Sequence, residues 1–209
     1  MPIALLALAL AAATPAASPV AYTGTLPKPG DKWQARAKEI YQHSIEIPTV
    51  QGRGQVPALA EWLAGQYRAG GWADSDVHVI PYEGAPGDKT AALITRWPAA
   101  KPSGKKPILL MAHMDVVEAK PEDWSMDPFK FVEKDGYYYG RGTSDIKEGV
   151  SAVTTALLRL RAEGFKPSRD IIVLFTGDEE TSGNGARLAA TEWRKLTEAE
   201  FGLNSDGGG

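Results

Sequence analysis

The sequence contains no cysteine, which excludes a disulfide scaffold, a thiolate metal site and a cysteine nucleophile. It also lacks surplus charge of either sign, with a formal net charge of −3 at pH 7. Nucleic-acid binding needs a basic face, and this balance offers none. Inside the body of the chain no apolar run reaches about 18 residues, which excludes a membrane-spanning bundle. Glycine (22) and proline (15) fall well short of the share seen in collagen or low-complexity chains. No Gly-x-Ser-x-Gly elbow and no Gly-x-x-x-x-Gly-Lys phosphate loop occurs. Gly140-x-Gly142 precedes a helical pattern but lacks the third glycine of a dinucleotide loop. What remains for chemistry is carboxylate, hydroxyl and a scarce imidazole, with three histidines in all. The length of 209 residues, 43% hydrophobic, suits one domain or a piece of a larger one.

Residues 3–13 (IALLALALAAA) have the length of a secretory apolar segment, followed by small residues and proline. No lysine or arginine precedes them. The reading is a signal peptide over 1–18, a linker over 19–31, and export to a periplasmic or extracellular space, where a chain without cysteine meets no redox difficulty. The competing reading is a short buried helix.

From residue 32 onward helical and strand patterns alternate. Residues 32–46 and 55–69 carry apolar residues at helical spacing, the second closed by Gly70-Gly71. Residues 76–82 and 91–97 read as strands. Residues 107–112 (PILLMA) and 171–176 (IIVLFT) are continuous apolar runs, the mark of strands covered on both faces. Asp135-Gly136 between two short aromatic runs signals a hairpin. Residues 145–163 and 186–196 are helical patterns, and 201–204 is a last short strand. The expected fold class is α/β, a three-layer sandwich with a mostly parallel central sheet.

Open α/β sheets place ligands at the carboxyl ends of their strands. Three strands here end on donors: His113 and Asp115, then Asp178-Glu179-Glu180, then Asp206. Asp145 opens the long helix. Taken singly, each has an ordinary reading. Asp145 with Glu148 fits a capping box, Glu179-Glu180 fits a solvated turn, and His113 fits a hydrogen-bonded histidine. Taken together, carboxylates gathered in one cleft repel one another unless a divalent cation neutralises them. Imidazole plus carboxylate without thiolate points to zinc, with manganese or cobalt as alternatives. Residues i and i+2 on a strand face the same way, so Asp115 can reach the ring of His113. His43 and His78 read as surface or packing residues.

The segments LLMAHMDVV (109–117), YGRGTSDIKEG (139–149), FTGDEETSG (175–183) and NSDGG (204–208) resemble, in order and spacing, the dizinc peptidase superfamily. That superfamily contains aminoacylase, succinyl-diaminopimelate desuccinylase, glutamate carboxypeptidase and vacuolar carboxypeptidase S. Trp124 and Pro128-Phe129 look most like the carboxypeptidase S and dipeptidase branch. The resemblance implies that His113 and Asp206 hold one zinc, Glu180 the other, and Asp145 bridges both. It implies Glu179 as general base, Asp115 as the carboxylate orienting His113, and a cis peptide at Asp145-Ile146. The implied activity is hydrolysis of an amide bond in a small peptide or N-acyl amino acid. The superfamily closes its second zinc with a late histidine and carries a smaller domain through which a longer form would pair as a homodimer. Neither is matched here. Residues 32–209 therefore read as the N-terminal part of a catalytic domain, inactive or weakly active by itself. The alternative is a degenerate protein that binds metal or peptide without hydrolysing it.

Overall fold

The computed structural model describes residues 31–101 and 103–206. The signal peptide expected over 1–18 and most of the linker over 19–31 lie outside the described residues.

Helix α1 (Lys32–Glu46) starts where the Asp31 side chain accepts from the Trp33 amide at 3.0 Å, satisfying a donor that the first turn leaves free. Its buried face carries Ile40, Tyr41, Ser44 and Ile45. Helix α2 (Val56–Ala69) has proline in its first turn and ends at Gly70, followed by Gly71 at φ 94°, a conformation that favours glycine. Strands β1 (Val77–Glu83), β2 (Lys89–Trp97) and β3 (Ile108–His113) follow. The hairpin β4 (Val132–Lys134) and β5 (Tyr137–Tyr139) turns through Asp135 and Gly136 at φ 54° and 80°, the positive pair a tight hairpin needs. Then come α3 (Lys147–Ala162), β6 (Ile171–Thr176), α4 (Asn184–Ala190), α5 (Arg194–Thr197) and β7 (Phe201–Asn204).

The main sheet has the order β1-β2-β6-β3-β7. Strands β6, β3 and β7 run parallel, and β2 is antiparallel to both of its neighbours. One face carries a large core in which Leu59, Leu63 and Tyr67 of α2 and Val150 and Leu157 of α3 meet Leu93, Val173 and Phe175 of the sheet. On the opposite face Ala92, Ile94, Ile172 and Leu174 pack under Ala189, Trp193 and Leu196. Helices on both faces of a mostly parallel sheet make the three-layer α/β sandwich.

Two local expectations differ from the structure. Strand β6 is buried along its whole length, but Ile108 to Met111 of β3 are only half-buried. The reason is position: β6 is central, whereas β3 adjoins β7, whose four residues are exposed. A groove of about 350 Å³ lined by Leu109, Met111, Leu174 and Ala189 runs beside it. The single helix expected over 186–196 is two helices. The backbone leaves helical geometry at Thr191 (φ −122°, ψ −86°). Trp193 then turns edge-on to Tyr82 with ring centroids 5.3 Å apart, so packing against β1 outweighs helical continuity.

Candidate metal centre

The three parallel strands point their carboxyl ends the same way, and the donors gather there. His113 is the last residue of β3. Glu179 and Glu180 lie in the turn after β6, and Asp206 lies just beyond β7. Asp145 precedes α3 across a cis peptide to Ile146. Ile146, not Asp145, is the residue that opens the helix, and it makes no side-chain cap. The capping-box arrangement is therefore not formed, and the Asp145 carboxylate is free to face the strand ends.

His113 is 2% exposed. Its Nδ1 lies 3.0 Å from the main-chain oxygen of Asp115. A carbonyl only accepts, so Nδ1 carries a proton, and in the neutral ring Nε2 presents its lone pair. That lone pair faces Asp145 Oδ1 at 3.2 Å, Glu179 Oε2 at 3.8 Å and Asp206 Oδ2 at 3.8 Å. In the neutral ring that contact is repulsive, so Nε2 takes either a proton or a metal ion. Burial alone would lower the imidazole pKa, yet Asp115 and Glu179 outweigh it and raise it to about 9. The Glu180 carboxyl is pushed up by burial and then by the negative charge of Asp145. Both shifts favour added positive charge at the cluster, whether a proton or a metal ion.

The donor atoms fit a divalent ion. His113, Asp145 and Glu180 offer ligand atoms all within 4.8 Å of one another, and so do His113, Glu179 and Asp206. His113 belongs to both groups. Imidazole and carboxylate oxygen are the donors that zinc accepts in hydrolytic sites. The four ligands that the resemblance implies, His113, Asp145, Glu180 and Asp206, thus fall into these two groups together with the implied base Glu179. His43 stacks on Trp62 with ring centroids 3.8 Å apart, and His78 lies on β1 opposite Ile94, both in packing roles.

The Asp115 carboxylate stands 3.5 Å from His113 Nδ1. Its shorter contacts are to the amides of Glu179 (3.1 Å) and Glu180 (3.0 Å). The roles of two supporting residues escaped sequence reasoning, and one of them, Asp178, was read among the strand-end donors but belongs to neither donor group. Lys147 is fully buried, and its Nζ donates to the main-chain oxygens of Ser44 (2.7 Å) and Ile47 (2.9 Å) at the end of α1. Burial pushes its ammonium pKa down to about 7. Asp178 is 1% exposed and accepts from the Tyr82 hydroxyl (2.6 Å) and the amides of Asn184 (2.7 Å) and Gly185 (3.0 Å).

Residues 109–208 match the sequence profile of Peptidase family M20/M25/M40. That stretch, just under half of the chain, is similar to the M20 family. Enzymes of the M20 family are metal-dependent peptidases and amidohydrolases. Aminoacylase-1 of Sus scrofa is 34% identical over 146 residues, 69% of this chain and 34% of that protein. The N-fatty-acyl-amino acid synthase/hydrolase PM20D1 of Homo sapiens is 46% identical over 82 residues, 39% of this chain and 16% of that protein. In shape the chain is similar to the di-peptidase Dug1p of Saccharomyces cerevisiae, with a TM-score of 0.72 at 23% identity, covering 84% of this chain and 39% of that one. The chain thus spans about a third or less of the length of the curated relatives described.

Proposed function

We propose that this chain carries the metal-binding half of a hydrolase that cleaves the amide bond of a small peptide or N-acyl amino acid. The observation that carries this reading is His113 Nε2 facing three carboxylates from three separate segments. His113, Asp145, Glu180 and Asp206 would hold zinc. Zinc bound there supplies Lewis acidity, acidifying water and polarising an amide carbonyl. Glu179 is half-exposed beside His113 and Asp206, so it can meet substrate and solvent. It takes the proton of the attacking water as the new carbon–oxygen bond forms. It then returns that proton to the amide nitrogen as the carbon–nitrogen bond breaks. The apolar segment over 3–13 supports export as the setting.

The chain holds three histidines, two of them in packing roles. With Glu179 acting as base, four side chains remain for two ions, too few for two four-coordinate sites. Turnover by these 209 residues alone is therefore slow. The test is zinc binding by equilibrium dialysis, combined with a screen of dipeptides against N-acetyl amino acids. The expected result is zinc uptake with slow hydrolysis that a chelator and Glu179→Gln both abolish. Absence of zinc uptake, or hydrolysis that survives Glu179→Gln, would overturn the reading.

A further inference from the structure

We propose that Asp115 is a positioning residue that pins the Glu179–Glu180 turn to the end of β3, in addition to its place beside the His113 ring. The inference rests on the metal-site reading above. The Asp115 side chain is buried, 3% exposed. Its Oδ1 accepts from the Glu179 amide at 3.1 Å and its Oδ2 from the Glu180 amide at 3.0 Å. Each oxygen is thus engaged by one of two consecutive main-chain donors, and bonds to an ionised acceptor are the stronger kind. The ring of His113 has a nearer partner. Its Nδ1 lies 3.0 Å from the Asp115 main-chain oxygen and 3.5 Å from the carboxylate. The main-chain oxygen is the nearer of the two acceptors, which leaves the carboxylate oxygens available to the turn.

On its other side the same turn is fixed by Asp178, which gathers Tyr82, Asn184 and Gly185. The two glutamates therefore project from a segment held between two buried carboxylates. Asp115 sits two residues after His113, so it ties the imidazole and both glutamates to one stretch of chain. An error of about 1 Å in such a group is enough to spoil its geometry.

The test uses Asp115→Asn in the 209-residue chain. Asparagine offers one acceptor oxygen, and its amino group faces a main-chain N–H, so one of the two bonds is lost. The Asp115 main-chain oxygen still receives the His113 ring. Amide exchange at Glu179 and Glu180, followed by NMR, is expected to speed up by about tenfold or more, the equivalent of one lost hydrogen bond. Affinity for Zn²⁺ alone, measured by chelator competition, is expected to fall about 10- to 100-fold. In a Glu180→Gln background the further loss shrinks to about threefold or less, because both changes act on one element. Unchanged exchange at the two amides overturns the proposal. So does a full loss of affinity that persists in Glu180→Gln but vanishes in His113→Ala. If Asp115→Asn does not fold, the unaltered chain decides: slow exchange at both amides upholds the clamp and rapid exchange overturns it. If the unaltered chain takes up no zinc, the metal reading falls, and amide exchange still decides the clamp.

Discussion

At His113 a main-chain oxygen chooses the tautomer, and that choice sets what the acidic residues around it can do. Glu179 and Glu180 are neighbours in sequence but differ in surroundings, Glu179 being exposed and Glu180 half-buried. Glu179→Gln is accordingly expected to leave zinc affinity nearly unchanged while lowering hydrolysis about 10²- to 10⁴-fold. Dialysis and a steady-state assay on the same preparation check both halves. Lys147→Ala removes the donor shared by Ser44 and Ile47 and opens a cavity, so it is expected to cost about 3 kcal/mol in urea unfolding. The donors themselves were legible in the sequence because each stands at a strand end or a helix start, where local pattern and fold rule coincide. The supporting roles of Lys147 and Asp178 were not. Their partners are main-chain groups and a tyrosine far away in the chain, and no local pattern announces such pairing. The reach of Asp115 to two amides was hidden for the same reason.

Among the elements, the strands were the easiest to read, since continuous apolar runs and alternation mark them directly. The hairpin declared itself through Asp135-Gly136. The helix over 186–196 was misread as continuous because its apolar spacing survives the break at Thr191, while the cause of the break, Trp193 against Tyr82, lies on another element. The joint between β6 and the acidic turn allows a sharp prediction. A Cβ at Gly177 would stand 2.5 Å from Thr90 Oγ1 and Val56 Cγ1 and 2.6 Å from the Ala91 oxygen. Gly177→Ala is therefore expected to destabilise the chain by about 1–3 kcal/mol through overpacking. Because the displaced residue leads into Glu179 and Glu180, zinc affinity should fall with it. Thermal unfolding and chelator competition would show the two losses together.

For the molecule as a whole, the layer architecture was legible but the strand order was not. Nothing local indicates that β6 inserts between β2 and β3, which is a choice made by burial of the most apolar strand at the centre. The outermost strand among the described residues on that side is β7, with Phe201 and Leu203 about half exposed. An exposed apolar edge invites pairing with another chain. Leu203→Lys is expected to reduce concentration-dependent self-association in light scattering while changing stability by about 0.5 kcal/mol or less. The donors at the other end of these strands come from four segments far apart in the chain. An ion held by all of them would act as a staple, closing several large loops at once and penalising the unfolded chain more than the folded one. Zinc at about a hundred times its dissociation constant should add about 2.7 kcal/mol to the unfolding free energy. Metal supply would then govern how long the polypeptide survives proteases as well as whether it reacts.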